Sequence, residues 1–359
     1  MRALLYVERL SLTEITMINT LIIDDSALAR DIIRDFLEAE GSFKIIGEAA
    51  DGEEGIQKIL SLNPDLVTLD IEMPKKTGLE VIEAVMKKTS VPIVVVTSHD
   101  TAKTAYEATI RGALEFYPKN IFSAALSPEK CKDIYETLKR ISSVKARIKK
   151  ASIEPALSDL ALSYQPGKRV VRAIVIASST GGPKALSTFF SLLPGDFSVP
   201  IVIVQHNSSG FDRSFAQWLD SYTNLNVKLA ENGESLKLNT VYIARTDSHL
   251  ELQRDGGESF IFRYNNDGPV NNQKPAADVL FRTAAESLKD SVISIVLTGM
   301  GSDGALGTKK IREMGGITLA QDEESSLIYG MPKAAAETGC VDMVVPLDKI
   351  AKELLRLTK

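Results

Sequence analysis

With 359 residues, 44% of them hydrophobic and 25% charged, the chain is long enough for two domains with a core each. Its formal net charge of -5 argues against a nucleic-acid partner, and no apolar run approaches the ~18 residues that membrane insertion needs. Cys131 and Cys340 stand far apart without metal-type spacing, which indicates neither a zinc site nor a disulfide framework and fits a reduced, cytoplasmic setting.

Residues 1–16 make a poor signal peptide, because their apolar part is short and Glu8, Arg9 and Glu14 interrupt it. Met17 directly precedes the first clear strand, so residues 1–16 are expected to be an upstream start or a disordered extension outside the fold.

From Asn19 short β-branched runs alternate with amphipathic helices. Thr20-Leu-Ile-Ile23 ends in Asp24-Asp25, and Ser26 can cap a helix whose apolar residues Leu28, Ile32, Phe36 and Leu37 fall at helical spacing before Gly41. Residues 65–69 end in Asp70, residues 92–96 in Thr97-Ser98-His99, and residues 113–118 in Lys119. Near-continuous apolar strands between helices predict a parallel sheet covered on both faces. In such sheets function gathers outside the carboxyl ends of the strands.

Those ends deliver Asp24, Asp25, Asp70, Thr97 and Lys119 to one rim. Crowded carboxylates repel one another, and a hard divalent cation such as magnesium relieves them while leaving positions open for a phosphoryl group. One Asp could then be the nucleophile, with Lys119 neutralising the incoming oxygens and Thr97 donating a hydrogen bond. Any one of these acids alone could merely cap a helix. The coincidence of so many strand ends favours a phosphoacceptor site.

Residues 17 to about 140 resemble a two-component receiver domain, on Leu21-Ile-Ile-Asp-Asp-Ser26, Leu69-Asp-Ile-Glu-Met-Pro74, Gly78-Leu-Glu80 and Phe116-Tyr-Pro-Lys119. The resemblance implies phosphorylation of Asp70 and Mg2+ held by Asp24, Asp25 and Asp70, helped by the backbone carbonyl of Glu72. It also implies Thr97 and Phe116 as a switching pair beside Lys119. Two positions depart from the usual pattern: Asn120 stands where a proline is common, and Thr77 where an aspartate is.

Across residues 141–168 periodicity fades. Lys145, Arg147, Lys149 and Lys150 are followed by Ser152, Pro155, Ser158, Ser163, Pro166 and Gly167. Such a basic cluster could meet lipid, but charges on a helix face are ordinarily solvated, and a basic helix tail running into a polar, Pro-containing linker is expected.

The βα alternation resumes at Arg169. Ala173-Ile-Val-Ile-Ala177 stops in Ser178-Ser179-Thr180-Gly181-Gly182, and Pro183 opens a helix. Strand, tight turn with a hydroxyl and helix N-terminus is the local geometry of an activated serine, although G-x-S-x-G is absent. A phosphate cradle on the same glycines and a plain Gly-rich turn are the alternatives. Residues 199–204 end in Gln205-His206, and residues 291–297 in Thr298-Gly-Met-Gly-Ser-Asp-Gly304.

A serine, a histidine and an aspartate at three strand ends suit acyl transfer. The hydroxyl needs a base, and the base needs an acceptor that fixes its tautomer. Of the three histidines, His99 belongs to the first domain, and His249 follows a shorter strand-like run near the site or on the surface. His206 has the right placement. Asp303 in its Gly-flanked loop could equally be a turn residue. Glycines 181, 182, 299 and 301 leave backbone N–H groups free to face an oxyanion, where losing one donor typically costs roughly 3–4 kcal/mol. The residues alone do not choose between Ser178 and Ser179.

Residues 170–359 resemble the catalytic domain of chemotaxis protein-glutamate methylesterases of the CheB type. The matching stretches are Ser178-Ser-Thr-Gly-Gly-Pro183, Gln205-His206 with Gly210-Phe211, Leu297-Thr-Gly-Met-Gly-Ser-Asp-Gly304, Ala320-Gln-Asp322 and Tyr329-Gly-Met-Pro332. The resemblance implies Ser179 as nucleophile, His206 as base, Asp303 as its orienting acid, and the backbone N–H groups of Thr180 and Met300 as oxyanion donors. It implies hydrolysis of glutamate methyl esters on chemoreceptors with release of methanol, and deamidation of certain receptor glutamines. No metal is implied for the esterase step. A sensor histidine kinase supplies the phosphoryl group, and the unphosphorylated receiver covers the esterase cleft until Asp70 is modified. Ser178 replaces a usual alanine, and residues 269–275 have lost some basic and histidine character although Lys274 survives.

Two rival readings remain at this level: a receiver joined to a degenerate hydrolase fold that only binds receptors, and a phosphorylation-gated nucleotide-binding protein using Gly181 and Gly182. The expected architecture is α/β, with two doubly wound domains. A flavodoxin-like receiver spans residues 17–140, and a linker spans 141–168. A parallel-sheet, Rossmann-like esterase spans 169–359.

Overall fold

A computed structural model describes residues 17–98, 102–123, 126–150, 170–257 and 259–358. The expectations for residues 1–16, His99, residues 151–168 and the basic side chains of residues 145–150 lie outside the described residues or side chains.

The N-terminal half alternates β1 (Ile18–Ile23), α1 (Ala27–Ala39), β2 (Phe43–Ala49), α2 (Gly52–Leu62), β3 (Leu66–Leu69), α3 (Gly78–Met86), β4 (Ile93–Thr97), α4 (Ala102–Arg111) and β5 (Glu115–Pro118). A short α5 (Asn120–Ser123) and a long α6 (Pro128–Lys150) complete it. All strand pairings are parallel, in the order β2-β1-β3-β4-β5. This is the flavodoxin-like order, with its switch point at the carboxyl ends of β1 and β3.

The caps are local and explicit. Ser26 accepts from the Ala29 N–H at the start of α1. Thr77 forms a capping box with Glu80 at the start of α3, so threonine does there what an aspartate would do. Leu28 is 69% exposed, and Ile33 and Leu37 carry the buried stripe of α1. Strand β2 escaped the sequence reading because it lies at the sheet edge and mixes Lys44 and Glu48 into a half-exposed run. Helix α6 runs on to Lys150, past the expected boundary at 141, because Ile141 and Val144 are buried and extend its apolar stripe.

The C-terminal half contains β6 (Ala173–Ser178), α7 (Gly182–Ser191), β7 (Ile201–Gln205), α8 (Asp212–Asp220), β8 (Asn226–Leu229) and β9 (Thr240–Ile243). An antiparallel pair follows, β10 (His249–Arg254) with β11 (Phe260–Asn265). The chain then forms α9 (Ala277–Leu288), β12 (Val292–Val296), α10 (Ala305–Glu313), β13 (Ile317–Gln321), α11 (Met331–Glu337), β14 (Met343–Val345) and α12 (Leu347–Leu357). The main sheet is parallel, in the order β14-β13-β12-β6-β7-β9-β8. Strands β6, β7 and β12 are buried along their whole length, as expected of a sheet with helices on both faces. After β6 the chain builds one side of the sheet and later returns to the other through β12. The gap between β6 and β12 is therefore the switch point, where such folds place their sites.

The halves share a packed boundary. The ring of Tyr106, on α4, stacks on Trp218 at 5.3 Å and meets Phe116 edge-on at 4.8 Å. Its hydroxyl donates to the Phe211 carbonyl at 3.2 Å. On α6, the Thr137 hydroxyl lies 3.1 Å from Met300 Sδ. A cavity of about 470 Å³ between the halves is bordered by Glu115 on one side and by Gly181, Lys184 and Leu327 on the other. No helix among the described residues is long and apolar enough to cross a membrane.

Candidate active site

Three loops meet at the switch point of the large sheet. Strand β6 ends in Ser178, and the turn through Ser179 to Gly181 leads into α7, with Pro183 in its first turn. Gly181 takes φ 77°, the left-handed conformation that glycine adopts without strain. Strand β7 ends in Gln205, directly before His206, and the loop after β12 carries Thr298 to Gly304.

Backbone bonds register these loops against each other. The His206 N–H donates to the Ser178 carbonyl at 3.0 Å, and the Ser179 N–H to the Thr298 carbonyl at 3.1 Å. Gly299 has to be glycine for this approach: a Cβ there would stand 2.7 Å from Ser179 Cβ and 2.4 Å from Met331 Sδ.

His206 Nε2 lies 2.8 Å from Asp303 Oδ2. Asp303 is 2% exposed and also accepts from the backbone N–H groups of Ala277 at 2.6 Å, Asp278 at 3.0 Å and Gly304 at 3.0 Å. Burial alone would raise its carboxyl, but the hydrogen bond and charge of His206 and these backbone donors outweigh it and hold the carboxyl below its ordinary value. An acceptor at Nε2 fixes the proton there and leaves Nδ1 as the basic nitrogen. That Nδ1 is buried and has no hydrogen-bond partner among the described residues. Ser179 is half-buried, and no hydrogen bond among the described residues joins its hydroxyl to His206. The His–Asp half of the constellation is thus closed, and the Ser–His half is open.

No oxygen among the described residues accepts from the backbone N–H of Thr180 or Met300. Gly182 is packed rather than open: a Cβ there would stand 2.0 Å from Gln205 Oε1. Its N–H already donates to the Ser179 carbonyl at 2.7 Å, which takes it away from a phosphate cradle.

His249 is buried, not on the surface. Its Nδ1 accepts from the Ala276 N–H at 3.1 Å, and Nε2 faces the Gly268 carbonyl at 3.0 Å. It therefore ties together the two ends of the loop that precedes α9, one residue before the Ala277 N–H that holds Asp303. Sequence reasoning gave no part to Asn271 and Asp278. Asn271 Nδ2 donates to Asp278 Oδ2 at 2.7 Å and lies 3.4 Å from Asp303 Oδ1. Asp278 Oδ1 accepts from the Gly307 N–H at 2.7 Å, and burial pushes its carboxyl up. Only the position of Asp278 in the first turn of α9 signalled it in the sequence.

The smaller sheet gathers a second constellation. Carboxylate oxygens of Asp24, Asp25 and Asp70 lie within 4.8 Å of one another, Asp24 and Asp70 buried and Asp25 exposed. Lys119 Nζ stands 2.7 Å from Asp70 Oδ2, to which it donates, and 2.8 Å from Asp24 Oδ2 in ion-pair range without a hydrogen-bond alignment. Burial and the Asp24 charge raise the Asp70 carboxyl against the pull of Lys119. One ammonium faces three carboxylates, so the cluster keeps the excess negative charge and the oxygen donors that suit a hard divalent cation. Thr97 is buried at the end of β4, and Phe116 is buried against Tyr106 and, at 5.4 Å between ring centres, against Phe211 of the other half.

Fold and site together define a response-regulator receiver joined to an α/β hydrolase domain. The CheB methylesterase family matches residues 174–354, and the response regulator receiver domain family matches residues 20–128. The chain is 38% identical to the protein-glutamate methylesterase/protein-glutamine glutaminase of Pyrococcus abyssi, over 94% of this chain and 93% of that protein. It is also 38% identical to the protein of the same name from Thermotoga maritima, over 95% and 98%. The crystal structure of the Thermotoga maritima CheB methylesterase catalytic domain superposes with a TM-score of 0.51 and 42% identity, covering 53% of this chain and 100% of that one. The chain belongs to the CheB family of protein-glutamate methylesterases.

Proposed function

We propose that this chain hydrolyses γ-glutamyl methyl esters on the cytoplasmic helices of chemoreceptors, releasing methanol, and deamidates receptor glutamines by the same acyl chemistry. The observation that carries the mechanism is the 2.8 Å bond between His206 Nε2 and Asp303, which leaves a buried, unpartnered Nδ1 beside the loop of Ser179. Nδ1 takes the Ser179 proton as Oγ attacks the ester carbonyl, and the oxyanion is received by the N–H groups of Thr180 and Met300. His206 returns the proton to the departing methoxide, which leaves as methanol. Water, deprotonated by the same nitrogen, then opens the acyl-enzyme to free glutamate and Ser179. Asp303 keeps the imidazole in register and stabilises its cationic form.

The receiver is the regulator. Asp70 is the phosphoacceptor, and Asp24, Asp25, Asp70 and the Glu72 carbonyl would hold Mg2+, which when bound offsets the charge of the incoming phosphoryl group. A sensor histidine kinase of a chemotaxis system is the donor, and the setting is the cytoplasm. Lys119 and Thr97 turn toward the new phosphate, Phe116 follows Thr97, and the boundary at Tyr106 and Phe211 loosens. Each tenfold of activation requires about 1.4 kcal/mol of differential stability between covered and open arrangements.

The test is Ser179→Ala in the full chain. Turnover of methylated receptor membranes and labelling by a fluorophosphonate should both vanish while Asp70 phosphorylation persists. Methanol release by the variant at the parent rate rejects Ser179 as the nucleophile, and no methanol release by the parent leaves the receptor-binding adaptor.

A further inference from the structure

Gln205 sits between the loops of the proposed nucleophile and base, and its side chain makes three hydrogen bonds. Nε2 donates to the Ser179 carbonyl at 3.1 Å and to the His206 carbonyl at 2.9 Å. Oε1 accepts the Ser178 hydroxyl at 2.7 Å. The amide is 3% exposed, and the reverse orientation would set Oε1 against two carbonyl oxygens, so its partners fix which end faces which. The Ser179 carbonyl receives a second bond, from the Gly182 N–H at 2.7 Å.

These bonds bear on catalysis through peptide geometry. The Ser179 carbonyl and the Thr180 N–H belong to one planar trans unit and point in opposite directions. Anchoring the oxygen therefore aims the hydrogen. From this we infer that Gln205 is a positioning residue that orients the Thr180 N–H toward the developing oxyanion, with Ser178 as the latch that holds the amide in place. The inference rests on the assignment of Ser179 as nucleophile and Thr180 as oxyanion donor. It accounts for two features of this chain. Gly182 leaves room for the amide, since a Cβ there would collide with Oε1. Ser178, standing where the resemblance expects alanine, satisfies a buried acceptor that would otherwise lack this hydroxyl.

The test uses the full chain activated with a small-molecule phosphodonor and Mg2+, comparing Gln205→Glu, Ser178→Ala and Ser179→Ala. Glutamate keeps the size of the side chain but removes both donors. Removing one oxyanion donor outright costs about 100- to 1,000-fold in kcat, so misaiming one should cost roughly 10- to 100-fold with KM held within about twofold. Fluorophosphonate labelling of Ser179 should slow in step. Ser178→Ala, which keeps both donors but frees the amide, should lose about 2- to 10-fold in kcat. A folded Gln205→Glu with parent kcat overturns the inference, as does a loss confined to KM with an unchanged labelling rate. If Gln205→Glu fails to fold, Ser178→Ala decides: parent kcat and labelling overturn, and a kcat loss at constant KM supports. Ser179→Ala separates the premises, because turnover retained there removes the nucleophile assignment whatever Gln205 does.

Discussion

Thr180, the residue after the proposed nucleophile, faces Glu115 of the receiver half, and its hydroxyl acts to lower the Glu115 carboxyl. Glu115 borders the cavity between the halves, so part of its surface faces that space while protein from both sides encloses it. Burial pushes its carboxyl from an ordinary 4.5 up to about 7, against the hydrogen bond from the Phe116 N–H and the weaker pull of the Thr180 hydroxyl. With Thr137 against Met300, the receiver thus touches both loops that carry the proposed oxyanion donors.

That contact has a pH signature. The docked form keeps the Glu115 proton up to about 7, and release that exposes Glu115 to water would return it toward its ordinary value. Stabilisation of docking is therefore complete below the lower value and is lost as pH rises through the upper one. Basal activity, taken as a ratio to phosphorylated activity, should climb between roughly pH 5 and 7. Glu115→Gln, neutral throughout, should give a flat ratio. An equal climb in the variant removes Glu115 from the coupling.

Tyr106 should act as a clasp. Its stacking on Trp218 and its bond to the Phe211 carbonyl exist only while the halves are docked. Tyr106→Leu forfeits them, and a loss of about 1–2 kcal/mol should raise basal methanol release roughly 5- to 30-fold. Activity after phosphorylation should change little. Unaltered basal release would show that this boundary does not restrain the esterase.

Asp303 should be worth far more to turnover than to folding. Asparagine preserves the shape but presents an amide to His206 Nε2 and disfavours the tautomer with basic Nδ1. A loss of about 10,000-fold in kcat is the precedent for such a change. The readout is kcat beside a urea midpoint, and a near-parent kcat would deny Asp303 its role.

His249 should matter through its loop. Alanine leaves the Ala276 N–H and the Gly268 carbonyl without their present partner, which costs about 1–3 kcal/mol for each group that stays dry. The urea midpoint should fall, and kcat with it, because Ala277 holds Asp303. A variant with the parent midpoint would show the loop to be held by other contacts.

Much of this was legible beforehand, for a physical reason. Strands β3, β4, β6, β7 and β12 are buried along their length and β1 over its last four residues, so their sequences are near-continuous apolar runs whose ends are sharp. The proposed reactive side chains stand at those ends, which made Asp70, Lys119, His206 and Asp303 candidates without coordinates, whereas only the family resemblance chose Ser179 over Ser178. Strand β2 was missed because an edge strand mixes polar residues into its run. A basic helix tail was expected there, but the end of α6 was not legible, because the buried residues Ile141 and Val144 are set in a strongly basic stretch. His249, Asn271 and the bonds of Gln205 were out of reach for another reason. Their partners are backbone groups of distant loops, and no spacing in the chain records such pairings.

Chelation separates the two constellations. Removing divalent cations should abolish phosphorylation of Asp70 and its stimulation, leaving basal ester hydrolysis within about twofold, since the proposed ester chemistry runs on side chains and backbone N–H groups alone. Loss of basal hydrolysis on chelation would contradict that division.

The most direct measurement is methanol released from methylated chemoreceptor membranes by the full chain, with and without a phosphodonor, beside Ser179→Ala and Asp70→Asn. The parent should release methanol faster once phosphorylated, Asp70→Asn should stay at the basal rate, and Ser179→Ala should release none. Methanol from Ser179→Ala at the parent rate would contradict Ser179 as the nucleophile, and none from the phosphorylated parent would contradict the hydrolytic assignment.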